Sequence, residues 1–573
     1  MRIELLLEHA AGEAIAHHFG LDAPALVRAT QDPAHGDYQV NGILPLAKKL
    51  KRSPRQLAAP VAERLGRHAA FEHVRIAGPG FINLTLKPAW IGRQLNEAIL
   101  DHARDAVDPV HEPQRIVIDF SSPNIAKQPH VGHLRSTIIG DALVRLHRFM
   151  GHSVVGDNHL GDWGTQFGLL IAGARRFRTS ALSAETPLAE LERVYKLASE
   201  RAKTDPVFAE EARGELAKLQ AGDSDNLAMW RHFVAITRSE LDRIYDRLDV
   251  RFDSWLPESF YNPMLAPVVE QLLSSGVARM DQGAVCVFFD DVPELRKSGV
   301  PLIVRKRDGA YNYATTDVAT LLHRRDELRA QRALYVVDKR QAQHFRQLFA
   351  LAARLKLPMQ LEHVAFGTIL GKDGTPLKTK EGDNVKLADL LDEAEQRATA
   401  AMRGQRDQGL TLEDGEIASL AACVGIGAVK YSDLRQHRLS DYRFDWDKMI
   451  SFKGNASPYL QYAHARIHSI FRKGGLEPAG FEAELSLRHP AEVTLSKQLL
   501  RFADAVHHAT DASLPHVVGD HLYCLARAFS VFYEACPVLH AADRGTRLAL
   551  SALAARQLRR GLELLGIRAP ERM

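Results

Sequence analysis

The stretch from residue 115 to residue 150 constrains the fold of this chain more than any other part of the sequence. Residues 115–120 form a short apolar run of β-forming type, which ends in the polar turn signal Ser-Ser-Pro-Asn at 121–124. From residue 133 onward, apolar side chains recur every three or four positions, as on a helix with one buried face. A strand, a polar turn and a helix in this order open a βαβ unit. The sequence therefore predicts an α/β domain built on a parallel sheet.

Changes of pattern divide the rest of the 573 residues around this unit. The prediction is a multidomain α/β protein with a Rossmann-like, parallel-sheet catalytic domain, an N-terminal α+β module and a C-terminal all-α helical bundle. The predicted segments are the module at 1–110, the catalytic domain at 111–390 with a helical insertion at about 175–255, a helical stem-contact region at 391–454 and the bundle at 455–573. Within the module, residues 37–50 are expected to be helical and residues 81–86 to alternate as a strand.

Composition narrows the class of protein. Hydrophobic residues make up 46% of the chain and charged residues 25%, which is ordinary for a globular protein with several cores. A net charge of +4 permits a nucleic-acid surface only as a local patch. The first ten residues are typical of an amphipathic helix rather than a signal peptide, and no window approaches the apolar length of a membrane span. We expect a cytoplasmic protein that does not enter a membrane.

The four cysteines are scattered and form no CxxC pair. They are Cys286, Cys423, Cys524 and Cys536. This spacing is not that of a zinc ribbon or a disulfide framework, so we expect no structural zinc and no metal-ligating residues.

A chemically suggestive motif, His130-Val131-Gly132-His133, stands where the polar turn passes into the helix. The N-terminus of a helix presents free N–H groups to phosphate, and a glycine lets a flat ring or a phosphate approach the backbone. The two histidines can donate hydrogen bonds to oxygens that gain charge as pyrophosphate leaves. The residue frequencies give roughly 0.08 chance occurrences of such a motif. The alternative is a pair of structural histidines that cap the helix.

The residues on both sides of this motif indicate a particular family more specifically than the motif itself does. Residues 119–127 (DFSSPNIAK) run into residues 130–140 (HVGHLRSTIIG), and this block resembles the signature of arginyl-tRNA synthetases. Residues 161–168 (GDWGTQFG) resemble a second block of that family, and the resemblance extends to the terminal residues 566–573. It implies an arginine–tRNA ligase: an ATP-dependent enzyme that attaches L-arginine to tRNA(Arg) through arginyl-adenylate, with Mg²⁺ bound to the ATP and with tRNA usually required for the first step.

One element departs from the class I pattern, since the KMSKS loop is absent as such. Residues 372–382 (KDGTPLKTKEG) take its place, and their lysines can neutralise phosphate charge. In bacterial members of the family a lysine just upstream of the histidine motif compensates, and Lys127 occupies that position. The implied catalytic residues are Lys127, His130, Gly132, His133, Lys378 and Lys380. The alternative for Lys378 and Lys380 is a solvated basic loop.

The substrate also constrains its pocket, because a guanidinium is a permanently charged planar fork that needs carboxylates and other acceptors. By resemblance, the arginine-contacting positions are Asp119, Ser121, Asn124, His133, Tyr313, Asp317 and Gln341. Tyr313 and Asp317 are four apart and would share a helix face. Without the resemblance, Asp317 would be taken as an acid at a helix start. His344 follows Gln341 by three residues and could line the same pocket.

Candidate RNA-contacting residues lie in both flanking modules. Residues 457–466 (SPYLQYAHAR) begin a helix well and resemble the start of the family's anticodon-binding domain. The implied tRNA-binding residues are Phe81, Asn83, Tyr459, Tyr462, Arg466 and Tyr533. Tyrosines can stack on splayed bases while arginine meets phosphate. The alternatives are a helix core for the tyrosines, and a core Phe with a turn-proximal Asn for the N-terminal pair.

The expected partners are therefore tRNA(Arg), L-arginine and ATP, and the expected state is a monomer. Two rivals remain from the sequence: a small-molecule nucleotidyltransferase with the same histidine motif, and a non-catalytic paralogue that only binds RNA or a partner. The flanking modules argue against the first. The retained Lys127, His130, Gly132 and His133 argue against the second.

Overall fold

The computed structural model describes residues 2–30, 32–177, 187–297, 299–378, 385–406, 413–478, 481, 483–540 and 542–573. The strands within these ranges are β1 (Val27–Ala29), β2 (Tyr38–Val40), β3 (Phe71–Ala77), β4 (Phe81–Leu86), β5 (Arg115–Asp119), β6 (Ser153–Asp157), β7 (Arg279–Asp281), β8 (Ala284–Val287), β9 (Leu302–Arg305), β10 (Arg332–Tyr335), β11 (Gln360–His363), β12 (Ile369–Leu370) and β13 (Tyr442–Arg443).

Helices make up most of the ordered structure. They are α1 (Ile3–Phe19), α2 (Ile43–Leu50), α3 (Pro54–Gly66), α4 (Pro88–Leu100), α5 (Val131–Phe149), α6 (Thr165–Phe177), α7 (Pro187–Thr204), α8 (Pro206–Gln220), α9 (Ser224–Leu248), α10 (Asn262–Ser274), α11 (Pro293–Arg296), α12 (Tyr313–Asp326), α13 (Ala342–Arg354), α14 (Leu387–Arg406), α15 (Asp414–Leu434), α16 (Trp446–Met449), α17 (Ser457–Lys473), α18 (Pro490–Leu500), α19 (Phe502–Asp511), α20 (His516–Ala535) and α21 (Arg544–Leu564), with short 3₁₀ turns at Pro33–His35, Glu258–Tyr261 and Lys339–Gln341.

The chain folds into two compact units, Val110–Ile450 and Met1–Pro109 together with Ser451–Met573. The first unit is built on a parallel sheet with strand order β11-β10-β5-β6. At the carboxyl edge of this sheet, Asp119 of β5 stands in register with Asp157 of β6 on one side and Tyr335 of β10 on the other. The predicted parallel-sheet fold class is confirmed, and ligands of such sheets bind at this edge.

Helix α5 follows β5 and packs closely against the sheet. A Cβ at Gly140 of this helix would lie 2.2 Å from the ring of Phe120, the residue that directly follows β5. The helix therefore passes over the strand end at a separation that only glycine permits. This close packing fixes the N-terminal tip of α5 relative to the sheet edge.

In the described part of residues 175–255, α7, α8 and α9 follow one another without a strand, and the assignment of this segment as an insertion stays a prediction. The sequence patterns missed β6, which is five residues long and contributes Asp157. They also missed the small antiparallel strand β7 and the two-residue strands β12 and β13. Each of these has at most two apolar residues in succession, whereas the strands β5, β8, β9 and β10 each contain at least three.

The second unit joins an antiparallel sheet, in the order β1-β2-β4-β3, to helices α1–α4 and α17–α21. The predicted α+β module and all-α bundle are therefore both present. Asp37 Oδ1 of the module lies 2.7 Å from Lys497 Nζ of the bundle. The buried Asp105 binds two arginines of α21, with Arg556 Nε at 2.8 Å and Arg560 Nε at 2.6 Å.

The expectation of a helical stretch over residues 37–50 is wrong at its start. Tyr38 and Val40 are buried in β2, which pairs with β1 and β4, and α2 begins only at Ile43. The buried positions 38 and 40 follow the period of two of a strand, so sheet pairing decides the conformation there.

One helix in the described ranges, α15, is long and apolar enough to cross a membrane by length and composition alone. The expectation that no window approaches this limit is therefore wrong. Of its most apolar 18-residue window, 78% is buried inside the fold. The same helix carries Asp433, which is ion-paired with Arg135 of α5 at 3.0 Å, so α15 packs as a core helix of this unit.

Candidate active site

The tip of α5 is capped by the two histidines of the HVGH motif. His130 is the N-cap residue, and its Nδ1 accepts a hydrogen bond from the Gly132 amide at 3.0 Å. In return, the amide of His130 donates to Nδ1 of His133 at 3.2 Å. The two rings lie 4.1 Å apart between centroids. This is a capping box in which imidazoles replace the usual hydroxyl and carboxylate.

The capping box also determines the chemical form of both rings. Because each Nδ1 accepts a hydrogen bond, the single proton of each neutral imidazole sits on Nε2. Burial lowers the pKa of His133 to about 4, and burial together with the charge of Lys127 lowers the pKa of His130 below its usual value. Near neutral pH the helix tip therefore presents two neutral Nε2–H donors beside the free N–H groups of the first turn.

The chain that follows the lysine-rich loop is bound to this tip. The amide of Val131 donates to the carbonyl of Val385 at 2.9 Å, and the amide of Leu387 donates to the carbonyl of Pro129 at 2.9 Å. Before the loop, β12 pairs with β13 in parallel, and Leu377 N donates to Ile369 O at 3.1 Å. Lys378 is exposed at the end of this turn. The predicted Lys380 lies outside the described residues.

The turn between β5 and α5 has an unusual backbone. Ser121, Ser122 and Ala126 all have positive φ angles of 72°, 46° and 62°. Non-glycine residues rarely adopt this conformation, and such strain persists where surrounding contacts hold it. Ser121 is held on both sides, because its amide donates to Ser136 Oγ at 2.8 Å and its Oγ lies 2.7 Å from the Tyr245 hydroxyl.

Asn124 is exposed in this turn and lies against Gly161, the first residue of the GDWGTQFG block. A Cβ at Gly161 would lie 2.1 Å from Asn124 Oδ1. Gly161 of the GDWGTQFG block therefore leaves space for the side-chain amide of Asn124 in the DFSSPNIAK block.

A buried arginine holds the acidic end of the sheet. Asp119 Oδ2 lies 2.6 Å from Arg324 Nη2, and the same nitrogen lies 2.7 Å from Asp157 Oδ2. Asp119 Oδ1 also accepts a hydrogen bond from Ser122 Oγ at 3.0 Å. The side chain of Arg324 is 0% exposed. Although burial alone lowers the pKa of Arg324, the charges of the two aspartates raise it well above its usual value, so the cluster is an ion-paired triad.

The structure brings together three of the residues singled out on helices α12 and α13. Asp317 Oδ2 lies 2.6 Å from His344 Nε2, and the ring of Tyr313 meets that of His344 edge-on at 4.9 Å. Tyr313 is 58% exposed at the start of α12, which leaves its face open to a ligand. Gln341 is exposed immediately before α13 and three residues from His344.

Tyr335 connects this group to the sheet edge. Burial raises the pKa of Tyr335 to about 12, and the charges of Asp119 and Asp317 both raise it further against the effect of Arg324. Asp119 and Asp317, the two candidate arginine-binding carboxylates, thus both act electrostatically on Tyr335.

Sequence reasoning missed an acid in the same place, Glu258. Burial raises the pKa of its carboxyl to about 7, and the charges of Asp162 and Asp317 add to this effect. Asp162 is itself held by the amide of Ser259 at 2.8 Å and the hydroxyl of Ser259 at 2.6 Å. The region therefore holds more carboxylate than its histidine and arginine neutralise, which favours a cationic ligand.

The candidate RNA-contacting residues of the other unit are placed as follows. On β4, Phe81 and Asn83 share the half-buried face, while Ile82, Leu84 and Leu86 are buried. Asn83 Oδ1 accepts a hydrogen bond from Gln39 Nε2 at 2.8 Å. Phe81 is therefore outside the core, contrary to the simpler alternative.

The tyrosines of α17 form a surface with residues of α20. Tyr462 is 43% exposed, the Tyr459 ring lies 5.9 Å from that of Tyr523, and Arg466 lies 4.5 Å over the ring of Tyr533. The sequence reasoning missed Tyr523, because only the fold brings α20 beside α17. Side by side, the rings and guanidinium have the composition of a base-stacking surface.

Within the described residues, no three histidines, cysteines or acids are arranged to hold a metal ion. None of the four cysteines forms a disulfide, and Cys524 alone among them is exposed.

Comparison with known proteins agrees with this arrangement in all three parts of the chain. Residues 94–446 match the model of the class I (R) tRNA synthetase catalytic domain, residues 460–573 match the DALR anticodon binding domain, and residues 2–86 match the arginyl tRNA synthetase N-terminal domain.

Similar full-length proteins point the same way. An arginine–tRNA ligase of Edwardsiella ictaluri is 45% identical, with 96% of each chain covered, and one of Hahella chejuensis is 43% identical, with 100% of each chain covered. The arginyl-tRNA synthetase structure from Plasmodium falciparum has a TM-score of 0.86 at 30% identity and covers 100% of this chain and 99% of that one. That from Thermus thermophilus has a TM-score of 0.83 at 26% identity, with 100% of each chain covered. The chain therefore belongs to the arginyl-tRNA synthetase family.

Proposed function

We propose that this chain is an arginine–tRNA ligase that forms arginyl-adenylate from L-arginine and ATP and transfers the arginyl group to tRNA(Arg). The observation that carries the proposal is the placement of two unlike subsites on one βαβ framework. The tip of α5 offers neutral donors suited to a triphosphate, and the sheet edge offers excess carboxylate suited to a guanidinium.

In the first step, a carboxylate oxygen of arginine attacks the α-phosphorus of ATP, and the bond from that phosphorus to the bridging oxygen breaks to release pyrophosphate. The Nε2–H groups of His130 and His133 donate to oxygens that gain charge, and the ammonium of Lys127 adds a positive charge. Lys378 and Lys380 are proposed to act on the outer phosphates, and Mg²⁺ arrives with ATP as part of the substrate complex.

Arginine is proposed to bind with its two ends in different surroundings. Asp119 is already paired with Arg324, so it suits the α-ammonium group together with Ser121 and Asn124. Asp317 and Glu258 lie close enough for their charges to interact, and together with Tyr313 and Gln341 they suit the guanidinium. The lysine ammonium has no planar fork to span two carboxylates, so we expect lysine to be rejected.

In the second step, the 2′-hydroxyl of the terminal adenosine of tRNA attacks the acyl carbon and AMP leaves. We propose that Phe81 and Asn83 of the N-terminal module contact the D-loop. Tyr459, Tyr462, Arg466 and Tyr533 are proposed to contact the anticodon arm. Action as a monomer in the cytoplasm remains a prediction that accompanies this proposal.

The deciding experiment is aminoacylation of mixed tRNA with each standard amino acid in turn. We expect arginine to be attached in an ATP-dependent reaction and lysine not to be attached. Attachment of lysine would contradict the specificity. Failure to attach any amino acid, with intact tRNA binding, would favour a non-catalytic paralogue.

A second prediction concerns the pH dependence of arginine binding. The free protein holds Glu258 with a pKa of about 7, and a bound guanidinium requires the ionised carboxylate. A proton therefore competes with arginine as the pH falls through 7, so the arginine Kd should rise about tenfold between pH 8 and pH 6. Titration calorimetry in two buffers of different ionisation enthalpy should also show proton release on binding near pH 6.

The matched control is Glu258→Gln, which cannot ionise. Its arginine Kd should be higher at pH 8 and nearly constant from pH 6 to pH 8. An equally steep pH dependence in this variant would assign the titration to another group.

A further inference from the structure

The helical insertion reaches the segment that precedes the HVGH motif. On α7, the ring of Tyr195 lies under the Lys127 ammonium, with Nζ 5.7 Å from the ring centroid. One turn earlier on the same helix, Glu192 Oε2 accepts a hydrogen bond from Gln128 Nε2 at 2.8 Å. Two neighbouring residues of the catalytic segment are thus each held by a side chain of one insertion helix.

The ammonium held in this way acts electrostatically on the helix tip. Besides burial, the charge of Lys127 lowers the pKa of both His130 and His133. Lys127 and Tyr195 also line one small recess together with Phe167 and Leu170 of α6. The lysine side chain therefore packs against the insertion, while its charge acts on the HVGH motif.

Whether the Lys127 ammonium contacts a carboxylate or an aromatic ring decides how much of its charge can act on phosphate. A carboxylate next to Lys127 would cancel its charge, whereas the face of an aromatic ring orients an ammonium and leaves its charge available to phosphate. The nearby carboxylate of Glu192 is bound instead by Gln128 and, at 3.3 Å, by Lys196. Glu192 therefore holds the chain at Gln128, and Tyr195 holds Lys127 without neutralising its charge.

We propose that Tyr195 and Glu192 of the helical insertion are positioning residues for Lys127, which hold its ammonium toward the departing pyrophosphate. This inference rests on the proposed function, because it gives a role to residues outside the signature blocks in the same adenylation step. The insertion is therefore part of the ATP site and not only a spacer between strands.

The test compares two substitutions of Tyr195, of which only one retains the aromatic ring. Tyr195→Phe keeps the aromatic face, and Tyr195→Leu keeps apolar bulk at this half-buried position but removes the face. In arginine-dependent ATP–pyrophosphate exchange with tRNA present, Tyr195→Leu should lower kcat about tenfold, while Tyr195→Phe stays within about twofold of the wild type. The arginine Kd should not change in either variant.

A double-mutant cycle separates positioning from a general effect on folding. In a Lys127→Met background the Tyr195→Leu change should have almost no further effect on kcat, because the group that it positions is gone. Glu192→Ala should behave in the same way with a smaller loss. Glu200→Gln on the exposed face of α7 is the matched control and should leave exchange unchanged.

Three results would overturn the inference: an unchanged kcat in Tyr195→Leu, an equal loss in Tyr195→Phe and Tyr195→Leu, or a tenfold loss that persists in the Lys127→Met background. Failure of the proposed function itself looks different. In that case the wild-type protein would show no exchange with arginine at all.

Discussion

Replacing Asp317 by asparagine is expected to raise the Kd for arginine about 100-fold while the KM for ATP stays within about twofold of the wild-type value. Asparagine keeps the size of the side chain and removes its charge. Loss of one carboxylate from a partly desolvated ion pair costs about 2–4 kcal/mol, and each 1.4 kcal/mol is a factor of ten in Kd. Arginine binding is measured by calorimetry, and the KM for ATP by pyrophosphate exchange at saturating arginine.

The same helix provides a control for this prediction. Asp326 lies at the end of α12 and pairs with the neighbouring Arg325, with 52% of the Asp326 side chain exposed. Asp326→Asn should leave both constants unchanged. If Asp317→Asn bound arginine as tightly as the wild type, Asp317 would have no place in the pocket, and the guanidinium would have to be assigned to Glu258 with other partners.

The second large effect is expected at the tip of α5. His133→Asn should lower kcat for pyrophosphate exchange by 100-fold or more with little loss of stability. The Oδ1 atom of asparagine can take the place of Nδ1 and still accept the hydrogen bond from the His130 amide. The shorter side chain cannot reach the position of the Nε2–H donor, and loss of one such donor to a charged transition state costs about 10²–10³ in rate.

His133→Gln provides the opposite comparison. Its amide N–H reaches approximately as far as Nε2, but no acceptor remains at the position of Nδ1, so part of the activity should survive while the helix cap is lost. Thermal unfolding of both variants, followed by circular dichroism, distinguishes the two effects. A fully active His133→Asn enzyme would show that the ring has a capping role only.

The parts of the site that could be predicted are local in sequence. The strand, polar turn and helix around the HVGH motif lie within about 35 residues, and their periodicity shows where the helix tip must be. The spacing of Tyr313 and Asp317 placed them on one helix face, and both do contact His344. Pattern was sufficient in these cases because backbone geometry alone fixes the neighbours.

Other contributors could not be found from pattern, because only tertiary contacts bring them to the site. Glu258 stands alone in the sequence, about 60 residues before Asp317, and no motif marks it. Tyr195 and Glu192 are not among the apolar residues that α7 buries, and the charged positions of this helix have the pattern of a solvated face.

Arg324 is a further residue whose place in the site could not be predicted from sequence pattern. In the sequence it stands in the run His323-Arg324-Arg325-Asp326, which has the composition of an exposed helix end. Burial of one member of this run depends on Asp119 and Asp157, which lie 205 and 167 residues away. A charged residue is buried only when such partners exist, and sequence periodicity does not record partners at this distance.

The paired imidazoles at the start of α5 couple the closure of its first turn to the charge of His133. A proton added at Nδ1 of His133 removes the acceptor of the His130 amide, so the first turn loses its closure at the same moment as the ring changes charge. Since burial keeps the pKa of His133 at about 4, neither change occurs above moderately acidic pH. Loss of this capping hydrogen bond and the gain of charge on the His133 ring are then one event with a single midpoint.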